Sequence, residues 1–136
     1  MSNSMNNIVD NIESIINNEF TINHSNRTRL NLFIPEEYPA ICYQVENLGE
    51  SGEQLRSQSK DRGFGISLFY IEKAEVNENQ YDFINRVENI IEKLRESGDL
   101  NSRVFSLLIE ADFKDRGTKD NAEFIAQIKL EGLQPR

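Results

Sequence analysis

A single histidine and a single cysteine limit any histidine-assisted nucleophilic mechanism in this sequence. A Ser–His–Asp or Cys–His arrangement would have to be built around His24, whose imidazole would take the proton from the attacking group. His24 stands between Asn23 and Ser25 in a polar, turn-like stretch. Cys42 follows Ile41 in an alternating run, where a small buried thiol is ordinary packing. Two isolated residues do not make a motif, and no catalytic residue is assigned.

Carboxylates gather at Asp112, Asp115, Asp120 and Glu123, around Asp115-Arg116-Gly117. A calcium loop needs glycine at a fixed place among its oxygen ligands. Here the glycine is misplaced and Lys114, Arg116 and Lys119 are interleaved, so the segment reads as a solvated hairpin tip. The stretch from Gly49 to Gly52 with Lys60 lacks the lysine and hydroxyl spacing of a phosphate-binding loop. Gly63-Phe64-Gly65 runs into a strand-like segment where a dinucleotide fingerprint would open a helix. No cofactor or metal site is expected. What the polar residues suggest is contact: Arg56, Lys60 and Arg62 in a long loop, with Leu55 as an apolar anchor, and Lys114, Arg116 and Lys119 in the last hairpin. Acidic residues are mixed into both groups. That suits ion pairs with neighbouring subunits better than a phosphate surface.

The elements that would hold these groups follow from the hydrophobic period. Ile8, Ile12, Ile15 and Ile16 form one helical stripe in residues 1 to about 20, with Ser4 as a capping residue. Asn23 to Arg29 reads as a turn. Leu30, Leu32 and Ile34 then alternate as a strand, and Pro35 and Pro39 bracket a loop. A second strand runs from Ala40 to Glu46. Glu46 to Gly63 is the main irregular segment, a loop or the tip of an extended hairpin. Phe64 to Glu72 is the clearest strand: Ile66, Leu68 and Tyr70 face one way, Phe69 and Ile71 the other, so both faces are covered.

A second helix, capped by Asn77 or Asn79, carries Tyr81, Ile84, Val87, Ile91 and Leu94 as its stripe, widened by Phe83 and Ile90. It stops at Ser97-Gly98. Arg103 to Phe113 and Ala122 to Leu130 form a closing hairpin around the Asp115-Arg116-Gly117 turn, with Gly132 and Pro135 ending the last strand. The reading is a single α+β domain over residues 1–136, mostly antiparallel, in the order α-β-β-β-α-β-β.

Composition agrees with a water-facing domain. The 136 residues are 38% hydrophobic and 28% charged, enough to bury roughly two thirds of the unfolded surface. No apolar run is long enough to span a bilayer, and the Asn/Ser-rich start lacks the pattern of an export signal. Asn23-His24-Ser25 and Asn26-Arg27-Thr28 match the glycosylation pattern by chance in an Asn-rich chain. A lone cysteine favours a reducing compartment. A net charge of -8 argues against wrapping nucleic acid over a broad surface.

This succession resembles the phage tail-terminator family, which includes tail-completion and head–tail joining proteins. The resemblance lies in the helix ending near Phe20, the Pro35 to Pro39 strand entry, and the polar loop before the strand Phe64 to Ile71. The helix Tyr81 to Leu94 and the hairpin at Phe113-Lys114-Asp115-Arg116-Gly117 complete it. It implies a non-enzymatic ring, hexameric in that family, at the head-proximal end of a tail tube. Its partners would be the tube protein and a neck or connector protein, with DNA passing through an acidic lumen without adhering. The location implied is the virion, after assembly in the host cytoplasm. A head-completion or stopper protein and a small cytoplasmic dimeric adaptor are the alternatives. On this reading His24→Ala and Cys42→Ala leave particle assembly intact, with a modest stability loss at Cys42. An infectivity assay on variants of verified fold checks this, and loss of function in the His24 variant contradicts it.

Overall fold

The computed structural model describes residues 5–26, 38–49, 62–74, 79–97, 106–116 and 122–134. The first helix, α1 (Met5–Glu19), places Ile8, Ile12 and Ile16 in full burial, with Val9 and Ile15 beside them. The i, i+4 isoleucine spacing makes one stripe, and the sheet beneath supplies the packing that middling helix formers need. The capping position at Ser4 lies outside the described residues.

Three strands follow: β1 (His24–Asn26), β2 (Ala40–Gly49) and β3 (Arg62–Ala74). Helix α2 spans Tyr81–Glu96, and β4 (Ser106–Arg116) and β5 (Ala122–Gln134) complete the sheet. The sheet order is β1-β2-β3-β5-β4, with the four long strands antiparallel and β1 parallel to β2. This is the α+β fold that the alternation implies.

Several boundaries differ from the sequence reading. The segment Asn23 to Arg29, read as a turn, contains β1. Polar His-Ser-Asn has no strand signature of its own, and its order comes from tertiary bonds. The Asn23 N–H donates to the Pro39 carbonyl at 3.0 Å, the Asn23 amide donates to the Tyr38 carbonyl at 2.7 Å, and Ser25 Oγ donates to Glu13 at 2.6 Å. The expected strand at Leu30 to Ile34 lies outside the described residues. The irregular segment is shorter than Glu46 to Gly63, because β2 continues through Gly49 and β3 begins at Arg62, with a register shift between Val45 and Asn47. Asp115 and Arg116, expected in a turn, belong to β4 opposite Phe124 and Glu123, and Gly117 lies outside the described residues. Gly132 does not end β5, since Leu107 and Phe64 flank it on either side.

The stripe of α2 is also rotated from the expected one. Phe83, Val87, Ile90 and Leu94 are the buried set, whereas Tyr81 is 70% exposed. Positions 83, 87, 90 and 94 keep the i, i+4, i+7 spacing, while Tyr81 stands at the first turn on the outer side. The capping position is Gln80, one residue past the expected Asn79, and its side chain makes no capping bond; Asn79 Oδ1 accepts the Tyr81 N–H at 2.9 Å from just outside the helix.

The main core lies between the helices and the sheet face carrying Phe64, Ile66, Leu68, Tyr70, Phe124, Ala126, Ile128 and Leu130. The opposite face holds a smaller buried cluster of Ala40, Cys42, Phe69, Ile71 and Ile125, with Tyr38 packed on it. Both faces of β3 are therefore apolar, as its sequence implies. Phe83 locks α2 to three strands: its ring stacks on Tyr70 at 5.7 Å, meets Phe124 at 5.4 Å and meets Phe113 edge-on at 6.2 Å. Lys93 joins the two helices through Glu19 at 3.2 Å. Phe83→Ala is expected to cost about 3–5 kcal/mol, whereas Tyr81→Ala stays within about 0.5 kcal/mol. Urea denaturation of the two variants checks the contrast.

Candidate functional site

An open cleft of about 470 Å³ lies where the end of α1, the entry to β2, the C-terminal end of β3 and the middle of α2 converge. Phe20, Tyr38, Pro39, Tyr70 and Ile90 form its apolar walls, and Glu72, Lys73, Arg86 and Asn89 stand among them. Alternation along β3 sends Tyr70 and Glu72 to the same face. One turn past Phe83, Arg86 leaves α2 toward that face.

Three of the cleft's polar groups, Tyr70, Glu72 and Arg86, are bonded to one another. The Tyr70 hydroxyl donates to Glu72 Oε2. Arg86 closes a fork on the same carboxylate, with Nε 2.6 Å from Oε2 and Nη2 on Oε1. Burial, and then the bond to Glu72, push the Tyr70 phenol well above its ordinary value of 10, so it stays protonated. Bonding to Glu72 raises the Arg86 guanidinium in turn, against a smaller desolvation effect. No group of this trio is left as a base or a nucleophile at neutral pH. The cleft is an open hollow in which this bonded trio stands between apolar walls, with Lys73 and Asn89 beside it.

A part-buried contact ties the β2 entry to β5: the Tyr38 hydroxyl donates to Glu123 Oε2. This accounts for Glu123, which the sequence grouped with Asp112, Asp115 and Asp120. Asp112 instead faces Lys129 at 3.4 Å, and Asp115 accepts from Gln80 at 2.7 Å. Among the described residues, no group of three or more His, Cys, Asp or Glu is arranged to hold a metal ion. Asp120 lies outside them.

Of the interaction residues expected from sequence, Leu55, Arg56, Lys60 and Lys119 lie outside the described residues. Arg62 is a strand residue opposite Gln134, not a loop residue. Lys114 and Arg116 lie on β4, and Lys114 shares its cross-strand row with Ile125 and Ile71. Arg62 stands nine residues before Ile71 on β3, about 30 Å along the strand from the cross-strand row of Lys114. Cys42 is fully buried, its thiol pushed up by burial, which makes it an inert packing group. His24 pairs through its backbone with Ala40 in β1. The cleft itself was not foreseen, because its residues come from α1, the β2 entry, β3 and α2. The one hint in the sequence is Arg86 on the inner flank of an otherwise apolar helix face.

No protein-family model matches the chain, and no curated protein shows significant similarity to it. No helix among the described residues is long and apolar enough to cross a membrane.

The protonated state of Tyr70 has a measurable consequence. Its folded-state value exceeds the unfolded value of 10, so above that pH the unfolded chain releases a proton that the folded chain retains. The stability due to Tyr70 is full below pH 10 and falls as pH rises, by up to about 1.4 kcal/mol per pH unit. Tyr70→Phe removes that part of the alkaline slope, which denaturant titrations of both proteins measure as a function of pH.

Proposed function

We propose that this chain is a non-enzymatic structural protein of a tailed phage. It forms a ring at the head-proximal end of the tail tube, ends tube polymerisation and joins tail to neck. The observation that carries this reading is the cleft of about 470 Å³ whose Tyr70, Glu72 and Arg86 are already bonded to one another. A pocket poised for reaction keeps a base, a nucleophile or an electrophilic group free to act. This one offers shape and apolar walls.

Matching protrusions lie elsewhere on the same chain. Leu108 on β4 is 63% exposed, and Tyr81 stands on the outer side of α2. A socket on one surface and a protruding residue on another is the geometry of a head-to-tail contact, which closes into a ring when the rotation between copies allows. The α+β order of elements, the same as in the tail-terminator succession, supports the reading. So does a net charge of -8, which lets DNA cross a lumen without adhering. On this reading the chain resides in the virion and contacts tube and neck proteins through ring surfaces.

Electron microscopy of purified tail tubes incubated with the protein tests the reading. A ring at one tube end is expected for the wild type. Asn89→Trp, at an exposed cleft position, fills the hollow and abolishes the ring without unfolding the subunit. Bare tube ends with the wild type, or capping by Asn89→Trp equal to the wild type, contradict it.

A further inference from the structure

Strand β4 is the outer strand of the sheet, and among the described residues no strand pairs with its free edge. Such an edge is a row of backbone donors and acceptors that another strand can complete. On the face away from the helices, every second residue of β4 is charged: Glu110, Asp112, Lys114 and, by register position, Arg116. Two acids are followed by two bases. Glu110, Asp112 and Lys114 are all exposed. The helix-side face presents Phe113, which rests edge-on against Phe83 yet is 38% exposed. A row that reads acid, acid, base, base is self-complementary when the strand is turned end for end.

We propose that two copies of this chain pair antiparallel along β4 about a two-fold axis at Phe113, joining two five-stranded sheets into one. Asp112 then stands opposite Lys114 of the second copy, Lys114 opposite its Asp112, and Glu110 opposite its Arg116. The two Phe113 rings meet at the axis. Neighbouring registers are rejected by charge. Centring on Ala111 sets Glu110 against Asp112, centring on Asp112 sets that residue against itself, and centring on Lys114 does the same for lysine. Like charges directly opposite destabilise a strand pair, whereas opposite charges and aromatic pairs stabilise it. Asp112 is already 3.4 Å from Lys129 on its inner side, so the pairing extends an alternating row of charge across the seam.

The inference does not rest on the ring reading. A two-fold pair is isologous and absent from a simple cyclic ring. It gives the unassembled protein a state in which its open edge is capped.

Sedimentation equilibrium of the full chain tests it. The wild type is expected to be dimeric. Asp112→Lys sets lysine opposite lysine, Lys114→Asp sets aspartate opposite aspartate, and each raises the dimer dissociation constant by about tenfold or more. An equimolar mixture of the two variants recovers pairing, because each supplies the charge that the other lacks. Under mild oxidation Phe113→Cys gives a disulfide-linked dimer, whereas Ala111→Cys, which falls opposite Asp115, does not. A monomeric wild type, single variants that associate like the wild type, a mixture that stays monomeric, or cross-linking by Ala111→Cys in preference to Phe113→Cys would overturn the proposal.

Discussion

The ring of Phe83 is the contact on which the rest of this structure depends. Fully buried, it touches Tyr70 of β3, Phe113 of β4 and Phe124 of β5, and so fixes where α2 crosses the sheet. Once α2 is placed, Arg86 lies over Glu72, and Glu72 receives the Tyr70 hydroxyl. The stack on Tyr70 and the bond to Glu72 act on the two ends of one side chain, so ring orientation and polar network define each other. The cleft is the space left beside this junction, bounded on its far side by Phe20 and Tyr38.

The polar trio at the cleft and the lone thiol are held by their surroundings. The Glu72 charge is neutralised by Arg86, the Tyr70 phenol is held protonated, and Cys42 is sealed among Ala40, Phe69, Ile71 and Ile125. What is exposed is apolar or charged surface at the margins: Leu108 and Phe113 on the outer strand, Tyr81 on the outer helix face, and alternating charge along β4. Among the described residues the sheet is packed on both faces and its outer strand β4 is paired on one side only.

Much of the framework was legible because burial leaves a periodic trace. Ile8, Ile12 and Ile16 announce α1, and the two-sided apolar run from Ile66 to Ile71 announces the central strand covered on both faces. The lengths of the hairpins were not legible. Asp115, Arg116 and Gly132 carry turn chemistry locally, yet cross-strand partners at Phe124, Glu123 and Leu107 keep them extended. Strand β1 was invisible for the opposite reason: His24, Ser25 and Asn26 have no strand propensity, and the order comes from Asn23 and Ser25 bonding to distant segments. The cleft was illegible because alternation tells which face a residue takes, not which distant residue it meets there. Tyr70 was assigned the face of Ile66 and Leu68, but its meeting with Glu72 and Arg86 depends on the angle of α2.

The central claim, that this chain acts through its surfaces, is tested most directly by hydrogen exchange of the backbone amides in dilute and in assembled protein. The core amides of β3, paired on both sides, are expected to exchange slowly and equally in both states. The outward amides of β4 are expected to exchange fast in protein diluted to the monomer and to become protected in the dimer paired along β4. Exchange in β4 that is unchanged between the two states would contradict the account.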